Sequence, residues 1–147
     1  MINNFLYESK GWRYYIFMKD NNEEYDIWNK VKKETSLLKI DIKIREGEIR
    51  WCRLGINIGS ETQGKGSYFE RPVLILKKFS QDVFLGIPIT SKIKSGSWFY
   101  PLKLHNRTII LNQARILDRK RLRDKIYELS ENQIKEIKEA FCLLVKS

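Results

Sequence analysis

Two polar residues, Arg71 and Thr90, stand at the ends of neighbouring apolar segments of the chain. Arg71 follows a small, polar loop and precedes the apolar run 73–76, and Thr90 ends the next apolar segment, 83–89. If a short turn joins these segments as two strands, a cation at the entrance of one lies beside a hydroxyl at the exit of the other. Such a pair could grip and strain a phosphodiester, because a guanidinium can bind two phosphate oxygens at once.

The charge of the chain favours a polyanionic partner. The formal net charge is +10 and the pI is near 9.6, which gives a domain of 147 residues a positive field over much of its surface. The basic residues are interleaved with Trp, Tyr and Phe, and the most basic run is not a clean amphipathic helix. Nucleic acid is therefore favoured over a lipid surface. A basic face that is merely solvated is the alternative.

Length and cysteine usage indicate a cytoplasmic protein that has one hydrophobic core. No apolar stretch approaches the roughly 18 residues that a membrane span needs, and the first 19 residues lack the pattern of a secretory signal. Cys52 and Cys142 lie far apart and have no histidine nearby, which suggests neither a zinc site nor a disulfide framework. We expect reduced thiols, no metal or other cofactor, and no membrane partner.

Residues 1–44 are predicted to form an N-terminal extension that contains one helix, at about 22–39. Side chains from Ile27 to Leu38 recur at spacings of four, four and three, and acidic residues precede lysines as the helix dipole prefers. The helix is expected to pack against the main body. The residues before it show no clear period, and translation could begin at Met18.

From residue 45 onward, apolar and alternating segments predict sequential hairpins. The predicted strands cover 48–54, 72–76, 83–89, 98–104, 108–111 and 122–129. Pro72 is expected to be the first residue of its strand, since a central proline would lose a ladder hydrogen bond. Ser130 and Gln133 form a capping box that begins a final helix. This order favours a mainly β fold, a small, partly open antiparallel barrel with a helix at each end.

Several short motifs follow one another in a fixed order through the same part of the chain. They are Gly47-Glu48-Ile49, Gly59-Ser60-Glu61, Arg71-Pro72-Val73-Leu74-Ile75, Ile89-Thr90, the segment from Ile109 to Asp118, and Arg121-Leu122. In this order they resemble the MazF/PemK family of toxin endoribonucleases, over a toxin domain at residues 45–147. The resemblance implies an SH3-like barrel, a homodimer and a cognate antitoxin, with operator DNA bound only by the toxin–antitoxin complex. It also implies metal-independent cleavage of single-stranded RNA by attack of the ribose 2′-hydroxyl, giving 2′,3′-cyclic phosphate and 5′-hydroxyl ends.

The resemblance assigns catalysis to Arg71 and Thr90. An arginine keeps its proton at neutral pH and is a poor base, so we expect Arg71 to grip the phosphate and to stabilise the transition state, with proton donation as a further role. Thr90 would orient the phosphate or the attacking group. Taken without the family motifs, the arginine would be expected to pair with a carboxylate and the threonine to be only a good β former.

Six further residues are expected to contact RNA, namely Ser60, Glu61, Lys65, Tyr68, Ser91 and Lys92. Ten positions separate Glu61 from Arg71, more than in a compact family loop, and the added length could change which RNA is chosen. Within it, Tyr68 and Phe69 could stack on unpaired bases or pack against the helix at 22–39.

Gln113 and Arg115 belong to the later motif, and the resemblance gives them a role in organising the sheet or a dimer interface. The competing interpretation of the whole chain is a catalytically silent barrel that serves as a nucleic-acid-binding or protein-binding module. Fragments of single-stranded RNA in EDTA would favour the enzyme, and retention of RNA without cleavage would favour the module.

Overall fold

The computed structural model describes residues 4–9, 12–17 and 22–147. The strands are β1 Asn4–Ser9, β2 Trp12–Phe17, β3 Glu48–Arg53, β4 Glu70–Lys78, β5 Val83–Thr90, β6 Phe99–Leu102, β7 Arg107–Ile110, β8 Arg115–Asp118 and β9 Leu122–Glu128. The α-helices are α1 Asn22–Leu37 and α2 Glu131–Lys146, and three short 3-10 helices cover Lys103–His105, Leu111–Gln113 and Arg119–Arg121. The alternative start at Met18 falls outside the described residues.

Seven antiparallel strands form the main sheet, in the order β6-β7-β5-β4-β3-β9, and β8 also pairs with β5. The strand β5 is central because β4 borders one side of it, while β8 and β7 share the other side along its length. Among the described strands the sheet does not close on itself, since β6 and β9 are its two ends. The expected fold, a mainly β, partly open antiparallel barrel with helices before and after it, is confirmed.

The expectation that Pro72 begins its strand is wrong. The strand β4 begins two residues earlier, at Glu70, and Pro72 pairs with Trp51 of β3. Pairing of β4 with β5 starts only after the proline, at Val73. Pro72 therefore lies where the strand has one paired neighbour, a position in which the missing N–H is tolerated.

Other differences concern element ends and short elements. The first helix ends at Leu37, and the strand expected at 98–104 ends at Leu102, where a 3-10 helix takes over. Asn106 then adopts a left-handed conformation, φ 49°, which makes the turn into β7. The strand β8 was not predicted, and neither was the β1–β2 hairpin within the extension, whose register runs from Asn4 opposite Phe17 to Ser9 opposite Trp12.

The helix α2 covers one part of the core and has the predicted N-terminus. The Ser130 hydroxyl accepts a hydrogen bond from the Gln133 N–H at 3.3 Å, and the Gln133 side chain accepts one from the Ser130 N–H at 3.0 Å. Ile137 is fully buried and packs with residues such as Ile49, Leu74 and Ile109 of the sheet. None of the described helices has the length and apolar character needed to cross a membrane.

Glu46 fastens α2 to the start of the sheet. Its carboxylate accepts hydrogen bonds from the Lys138 ammonium at 2.7 Å and from the Lys78 N–H at 2.9 Å, and it lies 3.4 Å from the Lys77 ammonium. Burial acts to raise the pKa of Glu46, but these bonds and the charge of Lys138 outweigh it and lower the pKa from about 4.5 to about 2. The ionised carboxylate is thus strongly preferred in the folded state.

The helix α1 is held by a small apolar cluster of its own. Trp28 and Val31 pack against Phe69, which lies at the end of the β3–β4 loop, residues 54–69. Next to this cluster, the Thr35 hydroxyl accepts a hydrogen bond from the Arg53 guanidinium at 2.8 Å. The helix α1 therefore packs against the main body, as expected, and it does so at the β3–β4 loop.

Candidate active site

Arg71 is the second residue of β4. The β4–β5 pairing ends with Val73 opposite Pro88, so Arg71 and Thr90 each lie two residues beyond the last pair of these neighbouring strands. The Arg71 Nε donates a hydrogen bond to the Gln63 carbonyl at 2.8 Å, which fixes the guanidinium against the β3–β4 loop. No carboxylate in the described part of the chain forms a salt bridge with it. Burial lowers the pKa of Arg71, yet the group stays a cation near neutral pH because its ordinary pKa is so high.

Thr90 lies at the end of β5, where it is 6% exposed and pairs with Thr108 of β7. Its Oγ1 accepts a hydrogen bond from the Lys92 N–H at 3.2 Å, which holds the hydroxyl in one orientation. Since the oxygen already accepts this bond, its remaining capacity includes the O–H donor. The Thr90 hydroxyl is therefore better suited to donate a hydrogen bond to an anionic oxygen than to take up a proton.

A cleft of about 560 Å³ opens beside Arg71. Its walls are Trp51, Lys65, Gly66, Glu70, Arg71, Pro72, Ile89, Ser91, Arg107 and Asp124. Ile89 and Ser91, the residues before and after Thr90 in sequence, line this cleft, whereas Thr90 itself is buried beside it. Three of the wall residues are cations and two are carboxylates, so the wall has a positive surplus.

The two carboxylates of this cleft differ in their surroundings. Glu70 lies 3.5 Å from the Arg53 guanidinium and 3.8 Å from that of Arg123. These two arginines do not line the cleft, and they neutralise the Glu70 charge. Asp124 forms no salt bridge within the described ranges, 4–9, 12–17 and 22–147. Asp124 is therefore the cleft carboxylate that remains available to a ligand.

The Gln113 and Arg115 side chains hold the β3–β4 loop in place from the far side. Gln113 accepts a hydrogen bond from the Thr62 N–H at 2.9 Å and donates one to the Ser60 carbonyl at 3.3 Å. Arg115 reaches the Asn57 side-chain oxygen at 3.4 Å. In this structure the motif therefore contacts the loop; its expected part in a dimer interface stays a prediction.

The added length of the loop forms a small hairpin rather than an open excursion. Lys65 and Glu70 exchange two backbone hydrogen bonds of 2.9 Å, and Gly64 lies so close to the Phe69 carbonyl that a Cβ there would be 1.8 Å from its oxygen. Phe69 is buried against Trp28 of α1, with ring centroids 5.5 Å apart. Tyr68 is half exposed and lies 5.1 Å from the Arg53 guanidinium. Phe69 therefore packs against the helix, which is one of the two roles expected for it, and does not stack on RNA bases.

The structure brings together only part of the predicted set of site residues. Lys65, Arg71 and Ser91 line one cleft, and Thr90 lies directly beside it. The remaining predicted RNA contacts do not line that cleft, namely Ser60, Glu61, Tyr68 and Lys92, all of which are exposed. The Glu61 carboxylate accepts a hydrogen bond from the Ile58 N–H at 2.9 Å and so stabilises its own turn.

The wall residues that were not predicted as site residues include Trp51, Arg107 and Asp124. Trp51 is 39% exposed and reaches the cleft because β3 pairs it with Pro72, next to Arg71. Arg107 begins β7 and Asp124 lies in β9, and the pairing of these strands with β5 and β3 is not evident from the sequence. No group of three or more His, Cys, Asp or Glu side chains that could hold a metal occurs among the described residues.

An open antiparallel sheet that carries an arginine-lined basic cleft defines a small β protein suited to bind a phosphate-bearing ligand. Residues 45–145 match the family model of PemK-like, MazF-like toxins of type II toxin–antitoxin systems, and the chain belongs to this family. No curated protein matches the chain by sequence.

Solved structures share the fold at low sequence identity. MazF from Deinococcus radiodurans (Form-I) matches with a TM-score of 0.55 and 17% identity, over 73% of this chain and 100% of that one. An endoribonuclease in complex with its cognate antitoxin from a Mycobacterial species matches with a TM-score of 0.52 and 15% identity, over 70% and 95% of the two chains. MazE–MazF (Form-II) from Deinococcus radiodurans gives a TM-score of 0.51 and 18% identity, over 71% and 97%. These similarities support the fold assignment.

Proposed function

We propose that this toxin is a metal-independent endoribonuclease that cleaves single-stranded RNA at selected sequences. The observation that carries the proposal is the position of Arg71, a cation on the wall of a basic cleft, without a carboxylate partner among the described residues. Thr90, two residues beyond the last β4–β5 pair, adds a hydroxyl donor on the neighbouring strand. A solved relative with the same fold is named an endoribonuclease and is bound to an antitoxin.

The proposed reaction is an in-line displacement within the RNA. The ribose 2′-oxygen forms a bond to phosphorus while the bond from phosphorus to the 5′-oxygen breaks, so the products carry a 2′,3′-cyclic phosphate and a 5′-hydroxyl. Because the substrate itself holds the nucleophile next to the phosphorus, positioning supplies much of the rate and no metal is required.

Arg71 and Thr90 would act on the charge that develops on the phosphorane oxygens. Since the Arg71 Nε is committed to the Gln63 carbonyl, the two terminal nitrogens of the guanidinium are the ones that would hold the phosphate. The Thr90 O–H would add a second donor. Donors fixed before the substrate arrives stabilise a transition state without reorganising, which is the largest contribution in many enzymes.

The proton of the 2′-hydroxyl needs an acceptor, and the 5′-oxygen needs a donor. Asp124 lines the cleft without an ion-pair partner in the described part of the chain and is our candidate acceptor. Arg71 is the candidate donor to the leaving oxygen. Exchange with water would restore both groups after each cleavage.

Family membership extends the proposal to partners and organisation. We propose a cytoplasmic homodimer that a cognate antitoxin neutralises, with operator DNA bound only by the toxin–antitoxin complex. We also propose that residues 45–147 form the toxin domain and that residues 1–44 are an extension to it. The mass of the purified toxin in solution tests the homodimer.

The activity is tested by incubating the purified chain with mixed single-stranded RNA in EDTA and analysing the fragment ends. The expected products end in 2′,3′-cyclic phosphate and 5′-hydroxyl groups, and replacing the cleaved ribose by deoxyribose abolishes cleavage at that position. Sequencing the ends reveals the recognised motif. Retention of RNA without cleavage would instead support the alternative, a nucleic-acid-binding module.

A further inference from the structure

A second cleft lies on the other side of the loop segment that borders the Arg71 cleft. Its volume is about 440 Å³, within the range of roughly 300–1,000 Å³ that small-ligand sites occupy. It is lined by Glu24, Tyr25, Ile56, Asn57, Gln63, Gly64, Lys65, Gly66 and Phe69. Lys65 and Gly66 line both clefts. The two clefts therefore adjoin at this pair of residues, and a single extended ligand could occupy both.

The walls of the second cleft suit a nucleobase better than a phosphate. Tyr25 is 48% exposed there and offers an aromatic face, and Ile56 and Phe69 add apolar surface. One carboxylate, Glu24, and one ammonium, Lys65, line this cleft, so the wall has no positive surplus that would favour a phosphate. The Glu24 carboxylate can accept a hydrogen bond from the amino group of a base. The Asn57 amide, in contrast, is already committed within the loop, since it donates to the Leu54 and Thr62 carbonyls at 3.3 and 2.8 Å.

The helix that supplies Tyr25 is firmly held on the main body. Trp28, three residues further along and so on the same side of α1, is 8% exposed and packs edge-on against Phe69. One turn after Val31, Thr35 accepts the hydrogen bond from Arg53. Tyr25 thus stands on a fixed scaffold, which lowers the entropy lost when a base stacks on it.

We propose that this second cleft, the α1 cleft, binds an unpaired nucleobase of the RNA, adjacent to the nucleotide whose phosphate Arg71 holds. Tyr25 stacks on the base and Glu24 selects bases that carry an amino group. The family match begins at residue 45, so α1 adds this subsite to the matched part of the chain. The proposal rests on the proposed function, since it names a substrate contact of the same enzyme.

The test compares Tyr25→Ala and Tyr25→Phe with Ile27→Ala as the matched control. Ile27 is similarly exposed, at 46%, but points about 200° away around the same helix. Stacking of a base on an aromatic side chain contributes about 1–3 kcal/mol. The expected result for Tyr25→Ala is a rise in KM for single-stranded RNA of about 5- to 150-fold, with kcat nearly unchanged. Ile27→Ala should behave like the wild type, and Tyr25→Phe, which keeps the aromatic ring, should recover most of the loss seen in Tyr25→Ala.

A substrate series locates the base. Replacing single nucleotides beside the cleavage site by abasic ones should weaken binding to the wild type at one position and have no further effect on Tyr25→Ala. At that position, Glu24→Gln should reduce the preference for cytosine, adenine and guanine over uracil. Equal KM values for Tyr25→Ala and the wild type, or an equal loss in Ile27→Ala, would overturn the proposal.

The subsite and the enzyme can fail separately. If the wild-type chain cleaves no RNA, the proposed function fails, and the same variants are compared by fluorescence anisotropy with a labelled single-stranded RNA. Weaker binding of Tyr25→Ala alone would then still support the α1 cleft as a base site. Cleavage with normal KM in every Tyr25 variant would leave the enzyme standing and remove the subsite.

Discussion

Replacing Trp28 with Ala should loosen the N-terminal helix and reduce RNA cleavage together. The indole is 8% exposed and covers Gly55 so closely that a Cβ on the glycine would lie 2.2 Å from two ring atoms. Truncating a buried tryptophan to alanine costs about 3–5 kcal/mol. Within that sum, the edge-to-face contact with Phe69 contributes about 0.5–1.5 kcal/mol and the Arg121 guanidinium, 5.9 Å from the ring, about 0.5–1 kcal/mol.

The effect on cleavage follows from a chain of contacts between Trp28 and Arg71. Phe69, which packs on Trp28, accepts backbone hydrogen bonds from Leu54 and Gly55 at 2.9 and 3.1 Å. Gly55 in turn accepts one from the Gly64 N–H at 2.8 Å, next to the Gln63 carbonyl that holds Arg71. A loop that is no longer held at Phe69 should hold Arg71 less firmly, which lowers kcat.

The assay is chemical denaturation combined with single-turnover cleavage, with Trp98→Ala as the control. Trp98 is 46% exposed and lies outside this cluster, so its replacement should cost under about 1 kcal/mol. A Trp28→Phe variant should recover part of the stability and most of the rate. A loss below about 1 kcal/mol in Trp28→Ala, or full stability loss with an unchanged kcat, would refute the coupling between α1 and Arg71.

Two further predictions concern the loop and the base of α2. Gly64→Ala should destabilise the fold by about 3 kcal/mol or more and abolish cleavage, because the added Cβ would clash with the Phe69 carbonyl. The control is Gly59→Ala, at φ 57° and with open space around it, which should cost only about 1–2 kcal/mol in thermal or chemical unfolding. Because the folded-state pKa of Glu46 is lowered to about 2, its ion pair with Lys138 should stabilise the fold fully above about pH 4.5 and lose this effect as the pH falls toward 2. The contribution is on the order of 1–3 kcal/mol after allowing for partial exposure. The free energies of unfolding of the wild type and Glu46→Gln should therefore converge at low pH. A difference between them that stays constant with pH would contradict the role given to Glu46.

Local patterns in the sequence were enough to predict most elements of the fold. Helical spacing predicted α1, the capping box predicted the start of α2, and the apolar segments on either side of the turn predicted the β4–β5 hairpin. The strand β8 was not predicted, because its four residues follow a 3-10 helix and alternate too briefly to show a period. The hairpin β1–β2 was not predicted either, since aromatic residues on both strands hide the alternation.

Only part of the candidate site could be predicted from the sequence. Arg71, Lys65 and Ser91 were predicted and line one cleft. Trp51, Arg107 and Asp124 reach the same cleft through the pairing of strands distant in sequence, which no local pattern specifies. Packing of Phe69 against the helix was one of the two alternatives that the sequence offered, but its partner Trp28, and hence the α1 cleft, is evident only from the tertiary structure.

The most direct test of the account measures the cleavage rate of Arg71→Ala and Arg71→Lys on single-stranded RNA in EDTA, with both variants confirmed to be folded. Loss of a preorganised oxyanion donor lowers the rate by about 10²–10³-fold. We predict a loss of about 100-fold or more in Arg71→Ala, and a partial recovery in Arg71→Lys, which keeps the charge but not the paired donors. Near-normal cleavage by Arg71→Ala would contradict the account.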